Sequence, residues 1–100
     1  MIQHIVMLNL ADGYDPVELE DVMAGLSSLE IDGFTAFAHG PNRDFEQKTQ
    51  EYPYGFICTF SDEATLQKYA KDPDHKALGA RLVALCTNGA DGIMVMDLDL

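Results

Sequence analysis

Three side chains in this sequence have the types and placement for proton-transfer chemistry: His4, Tyr69 and His75. His75 closes the run Asp72-Pro73-Asp74-His75. Asp72 can cap a helix there and Pro73 can take its first position, which puts His75 about three residues into the helix. The positive end of the helix dipole disfavours an imidazolium at that place, so the ring is expected to be neutral near pH 7. A neutral imidazole is what a general base needs, and a phenol such as Tyr69 can polarise a carbonyl or hold an enolate oxygen. A plainer reading stays open. A His near a helix start can simply bond a neighbouring carboxylate, here Asp72 or Asp74, and a buried Tyr can be a core aromatic with its hydroxyl satisfied.

Other candidates carry less. His4, His39 and His75 are widely separated and no HxxxH or CxxC spacing occurs, so no metal and no cofactor is expected. His39 reads as a strand-end residue near solvent. Cys58 and Cys86 fall among apolar neighbours, where a free thiol behaves as a small core hydrophobe, and two cysteines make no disulfide framework. The Gly40-Pro41-Asn42 loop, with Arg43 and Lys48, lacks the glycine density of a phosphate cradle and reads as a solvated turn.

The elements that must position these residues follow from periodicity and caps. Residues 2–10 alternate as a strand, with Ile2, His4, Val6, Leu8 and Leu10 on one face and Gln3, Ile5, Met7 and Asn9 on the other. Asp15-Pro16 opens a helix with Glu18 at its third position and an apolar stripe of Leu19, Val22, Met23, Leu26 and Leu29. After Asp32-Gly33, Phe34 to His39 makes a second strand, and residues 40–53 are the longest irregular stretch. Tyr54 to Phe60 is the third strand, with Phe56, Cys58 and Phe60 on one side. Ser61 is expected to cap a helix through about Lys71. Because Pro73 costs about 3 kcal/mol inside a helix and nothing in a first turn, a second piece begins there and runs to Cys86. Its inward residues are Leu78, Leu82, Leu85 and Cys86. Asn88-Gly89 closes it, and Ile93 to Leu98 is the last strand.

The order βαββαβ, with right-handed crossovers, predicts an α+β fold, ferredoxin-like, as one domain over residues 1–100: a four-stranded antiparallel sheet with helices on one face. Its other face should be polar in a monomer. Instead Ile5, Met7, Ile57 and one side of Ile93–Met96 are apolar, at roughly 1.5–3 kcal/mol for each large aliphatic side chain buried. A homodimer through that sheet face, a dimeric α/β barrel, is the expected answer.

Composition narrows the partners. The net charge is −11, and the six basic residues (Arg43, Lys48, Lys68, Lys71, Lys76 and Arg81) are scattered. Phosphate backbones need clustered bases, so neither nucleic acid nor an anionic membrane is expected to bind. Met1-Ile2-Gln3-His4 runs straight into strand alternation without the basic and apolar regions of a signal peptide, and the expected location is the cytoplasm.

The segments Gln3-His4-Ile5-Val6-Met7-Leu8, Gly40-Pro41-Asn42 and Phe60 to Tyr69 followed by Asp72-Pro73-Asp74-His75 resemble the stress-responsive dimeric α/β-barrel (Dabb) domain. The resemblance covers essentially the whole chain, and Tyr69, Pro73 and His75 are its most specific part. It implies a ferredoxin-like protomer whose sheet packs on a partner's sheet. Some plant members are polyketide cyclases that close a poly-β-keto chain by intramolecular aldol condensation. Their Tyr and His fall on Tyr69 and His75, and a further pocket His falls on His4. The sequence departs from the family at two places: Asp72 stands for the usual His before Pro, and Tyr54 for a pocket His at the start of the third strand. The resemblance thus implies catalytic roles for His75, Tyr69 and His4. The pocket between helices and sheet is then expected to be lined by Val6, Leu8, Val22, Met23, Leu26 and Tyr54, and to take a small apolar or keto-type molecule. Two other readings compete. A non-enzymatic, stress-related structural or oligomerisation protein would have a dry, ligand-free interior. The cofactor-less monooxygenases and haem-degrading proteins of this fold depend on a tryptophan, and this chain has none.

Overall fold

The computed structural model describes residues 1–100. Seven regular elements follow in chain order: β1 (Ile2–Leu8), α1 (Pro16–Ser27), β2 (Phe34–Pro41), β3 (Tyr54–Phe60), α2 (Glu63–Lys71), α3 (Pro73–Leu85) and β4 (Ile93–Asp99). The strands form one antiparallel sheet in the order β2-β3-β1-β4. This is the ferredoxin-like order, with the expected second helix broken in two. No helix is long and apolar enough to cross a membrane.

Local chemistry sets most of the boundaries. The Asp15 side chain accepts from the Val17 and Glu18 amides, with Pro16 at the first helical position. Asp72 repeats the device at α3, its carboxylate accepting from the His75 amide at 2.9 Å, while its own extended backbone ends α2. The helix break at Pro73 is therefore both a stop and a start.

Five boundaries differ from expectation, the smallest at β4, which ends at Asp99 and not at Leu98. The cap of α2 is Asp62, not Ser61: its carboxylate accepts from both the amide and the hydroxyl of Thr65, at 2.9 and 2.8 Å. A charged acceptor outcompetes a hydroxyl for those donors. β1 ends at Leu8 and not at residue 10, because Asn9 and Ala11 turn away to bond Gly92 and Leu85. Leu10 then bridges to Cys86, which pulls Cys86 into extended backbone and ends α3 one residue early. β2 runs on to Pro41, which an edge strand tolerates since no neighbour needs its missing N–H. Residues 89–92, expected as a simple close, form a 3-10 turn before β4.

Residues paired across antiparallel strands share a face. The register therefore places Ile2, His4, Val6 and Leu8 with Phe56, Cys58 and Phe60 beneath the helices. Leu19, Val22, Met23 and Leu26 of α1 and Leu82 and Leu85 of α3 complete that core. Arg81 ties α3 to α1 at the surface, donating to both carboxylate oxygens of Glu18 and to Asp21.

The opposite face has no helix over it. It consists of three rows across the sheet: Ala36, Thr59, Gln3 and Leu98; Ala38, Ile57, Ile5 and Met96; Gly40, Gly55, Met7 and Met94. No charged side chain occurs among these twelve, and the two polar ones bond each other, Gln3 Nε2 donating to Thr59 Oγ1 at 3.0 Å. Met96 and Leu98 are each nearly half exposed.

Because Asp72 both ends α2 and caps α3, Asp72→Ala should remove about 1 kcal/mol of stability and lower Tm by about 4–8 °C. A melting curve identical to that of the unchanged protein would show that the cap does not hold this corner.

Candidate acid–base site

The break at Pro73 turns the last turn of α2 back toward the first turn of α3. Tyr69 and His75 consequently stack, with ring centroids 3.8 Å apart. His4 reaches the same cluster from β1, its ring 5.8 Å from Tyr69 and 6.0 Å from Phe60. Phe34 closes the far side, 5.8 Å from Tyr69 and 5.2 Å from Phe60. The three proposed catalytic side chains thus come from three elements and meet in one aromatic cluster.

Their environments differ in ways that matter for proton transfer. Tyr69 is 2% exposed, and burial raises its phenol well above the usual range, so it stays protonated. The Cys58 thiol donates to its hydroxyl at 3.7 Å. Burial also pushes that thiol up to about 11, which leaves it no nucleophile near neutral pH. His75 is half-buried. Loss of solvation, then the nearby His4, lower its pKa, with Asp72 opposing. Its Nδ1 is buried without a hydrogen-bond partner. Burial thus favours the neutral imidazole at His75, with one ring nitrogen unengaged.

His4 is held differently. Its Nδ1 lies 2.6 Å from an Asp97 carboxylate oxygen. A carboxylate can only accept, so Nδ1 carries a proton and donates it to Asp97. Asp97 is well exposed and forms part of the wall of an open concavity of about 430 Å³ with Ile2, Ser61, Asp62, Glu63 and Leu66. A hydrogen-bonded pair thus leads from solvent to the ring cluster.

The expected pocket lining is placed otherwise. Val6, Leu8, Val22, Met23 and Leu26 are 0–4% exposed and fill the space between sheet and α1, while the four main concavities are lined by other residues. Tyr54 lies four residues from Cys58 along β3, about 13 Å away by strand rise, and pairs instead with His39, 2.6 Å from hydroxyl to Nδ1. His39 is exposed, as expected of a strand end. The Arg43–Lys48 loop is a self-contained turn: Asp44 accepts from the Lys48 and Thr49 amides and the Thr49 hydroxyl, so these donors face a carboxylate within the loop.

Sequence reasoning missed two contributors. Asp97 follows Ile93 and Val95 at period two and so shares their side of β4, and the pairing of β4 with β1 sets it opposite His4. Phe34 joins the cluster only because a bulge between Phe34 and Ala36 lets Phe34 and Phe37 face the same side, which simple alternation cannot show.

Comparison with known proteins places the chain. Residues 2–100 match the family described as Stress responsive A/B Barrel Domain (Dabb). A dimeric ferredoxin-like protein of unknown function from Jannaschia sp. CCS1 is 50% identical, with a TM-score of 0.94 over 99% of this chain and 98% of that one. The Arabidopsis thaliana protein At3g17210 is 22% identical, with a TM-score of 0.85 over 100% of this chain and 95% of its own. A hydroxynitrile lyase from Passiflora edulis is 13% identical, with a TM-score of 0.81 over 99% and 92%. The last two likenesses show the fold alone. None of the curated proteins matches the chain.

The lowered pKa of His75 has a signed consequence for stability. An unfolded His titrates near 6.5. The folded one titrates lower, so as pH falls through that window the unfolded state takes up a proton that the folded state refuses, and stability is lost. The stability difference between the unchanged protein and His75→Gln should therefore shift against the unchanged protein between about pH 7.5 and 5. Chemical denaturation across that range measures it; a constant difference would mean that His75 titrates normally.

Proposed function

The chain belongs to the stress responsive A/B barrel domain (Dabb) family, and on that premise we propose a homodimer that handles a small keto-type molecule. The copies pair through the open face of the sheet. The chemistry lies at His4, Tyr69 and His75 and uses no cofactor.

The observation that carries this reading is the neutral His75 with its free Nδ1 stacked on a protonated Tyr69. That pair offers a base and an acid side by side, the minimum for removing a proton next to a carbonyl and holding the resulting enolate oxygen. His4, oriented by Asp97, carries protons between the cluster and solvent. Since the core behind the rings is filled, a ligand reaches them from the Asp97 side by parting Tyr69 from His75. Asp62, Glu63, Asp97 and Asp99 surround that approach, so an uncharged substrate is favoured over an anionic one. Cys58 and Cys86, both free and buried, suit a reducing compartment, and we place the protein in the cytoplasm.

One observation favours a second reading. The closed layer of Val6, Leu8, Val22, Met23 and Leu26 is what a structural or assembly protein without a ligand would have.

Cyclohexanone, an uncharged apolar ketone, separates the two readings through exchange of its α-protons in deuterated water, followed by NMR. The acid–base reading expects the protein to accelerate exchange over buffer. His75→Ala should abolish the acceleration, and Tyr69→Phe should reduce it about 100-fold. Exchange at the buffer rate with the unchanged protein, or acceleration that survives both substitutions, would leave the structural reading standing.

A further inference from the structure

The acid–base reading uses Tyr69 but leaves the thiol beside it without a role. Cys58 sits in the middle of β3 at 0% exposure. The register sets it opposite His4 of β1 and Phe37 of β2, and sets His4 in turn opposite Asp97 of β4. One row across the helix side of the sheet thus reads Asp97, His4, Cys58, Phe37. The Tyr69 ring comes down on this row from α2, 5.8 Å from the His4 ring. Its hydroxyl meets the Cys58 sulfur at 3.7 Å and bonds no other side chain. Apart from Tyr69 and the two cysteines, none of the fourteen buried core residues carries a side-chain hydrogen-bond donor. Cys86 is elsewhere, at the end of α3 beside Leu10. Cys58 is the core's one partner for this phenol.

The contact bears on what Tyr69 is asked to do. A phenol that polarises a carbonyl turns its own O–H to the carbonyl oxygen, and its oxygen can then only accept. As charge builds on the substrate oxygen, the O–H is drawn toward it and the phenol oxygen becomes more negative. In a site withdrawn from water, a second donor aimed at the phenol oxygen strengthens the first bond, because hydrogen bonds in series polarise one another. A thiol is a weak donor in the ground state, and its bond to Tyr69 tightens as that charge grows. Burial pushes the Cys58 thiol up to about 11, so it keeps its proton near neutral pH and has it to donate. An interaction that is stronger in the transition state than in the ground state raises kcat and leaves KM alone.

We infer that Cys58 is a positioning residue for Tyr69: its thiol fixes the hydroxyl over the sheet and backs it as a donor while Tyr69 holds an enolate oxygen. The inference rests on the acid–base reading and goes past it by assigning work to a thiol that otherwise only fills space. No covalent bond to sulfur forms and no electron is transferred. The proton of Cys58 stays on sulfur throughout, and only the strength of its hydrogen bond changes.

Alanine and serine are nearly the same size, so together they separate a donor from a filler. Cys58→Ala should lower kcat for exchange of the cyclohexanone α-protons about fivefold, with KM unchanged. Cys58→Ser restores a donor and should recover most of that loss. If the sulfur only fills space, both variants lose the same packing, and an equal fall in the two overturns the inference while leaving the acid–base reading intact. Exchange at the buffer rate with the unchanged protein overturns that reading and this inference together. The bond can also be read without turnover and without any change at Cys58. The infrared spectrum carries the S–H stretching bands of the two free thiols, and Tyr69→Phe should move one of them to higher frequency. Bands that both stay in place overturn the inference whatever the activity, and this measurement stands even where the Cys58 variants fail to fold.

Discussion

A four-stranded sheet has two faces, and this chain has helices for one of them. The helix side is closed by α1 and α3 over Val6, Leu8, Phe56 and Cys58, with residues there at or near zero exposure. The other side presents twelve residues without a charge among them. A protein with eleven more acidic than basic side chains has had every opportunity to place one there. That it does not is a constraint on the whole surface: polar groups are kept where water stays, and the uncharged face is kept for contact. Its two polar residues bond one another, the Gln3 amide nitrogen donating to the Thr59 hydroxyl oxygen, which offsets part of the cost of covering them.

The acid–base cluster depends on a second, smaller constraint, the interruption at Asp72-Pro73. A continuous helix would place Tyr69 and His75 six residues apart, on different sides of one cylinder. The break folds the chain so that the two rings stack instead. The same residue that makes the break also takes the His75 amide, so helix capping and ring placement have one cause. Burial then does the electrical tuning. Both the phenol and the imidazole are pushed toward their uncharged forms, as expected of groups withdrawn from water, and at His75 the loss of solvation outweighs the opposing charge of Asp72.

Where the sequence could be read, it was through periodicity and caps. The alternation of β1, the stripe of α1 and the Pro73 break all follow from local rules, and with them the meeting of His4, Tyr69 and His75. What was hidden depends on distant partners or on counting errors that a bulge introduces. The bulge near Thr35 moves Phe34 and Phe37 onto one side, and no pattern of apolar residues in 34–41 marks it. Leu10 continues the alternation of β1 but is drawn off by Cys86, seventy-six positions later. The lining expected of a pocket failed to distinguish residues facing the interior from residues facing a cavity, since an inward Val22 or Met23 looks alike in either case. Volume between elements is set by how closely they dock, and that is not written in any one segment.

The two constraints meet in β1. Along this strand Gln3, Ile5 and Met7 belong to the open face, while His4 and Val6 belong to the helix side. Period-two geometry makes them inseparable: a shift of one residue in register would exchange the sets, burying Gln3 with the aromatic rings and exposing His4 on the contact face. The pairing of Ile5 with both Ile57 and Met96 therefore also holds His4 opposite Asp97. β1 is one of the two central strands and contributes to both surfaces, flanked by β3 on one side and β4 on the other. Whatever orders the open face also orders the backbone that carries His4. An interface and a proton-transfer site can occupy opposite faces of so small a sheet because one strand, fixed in register by its apolar residues, positions both.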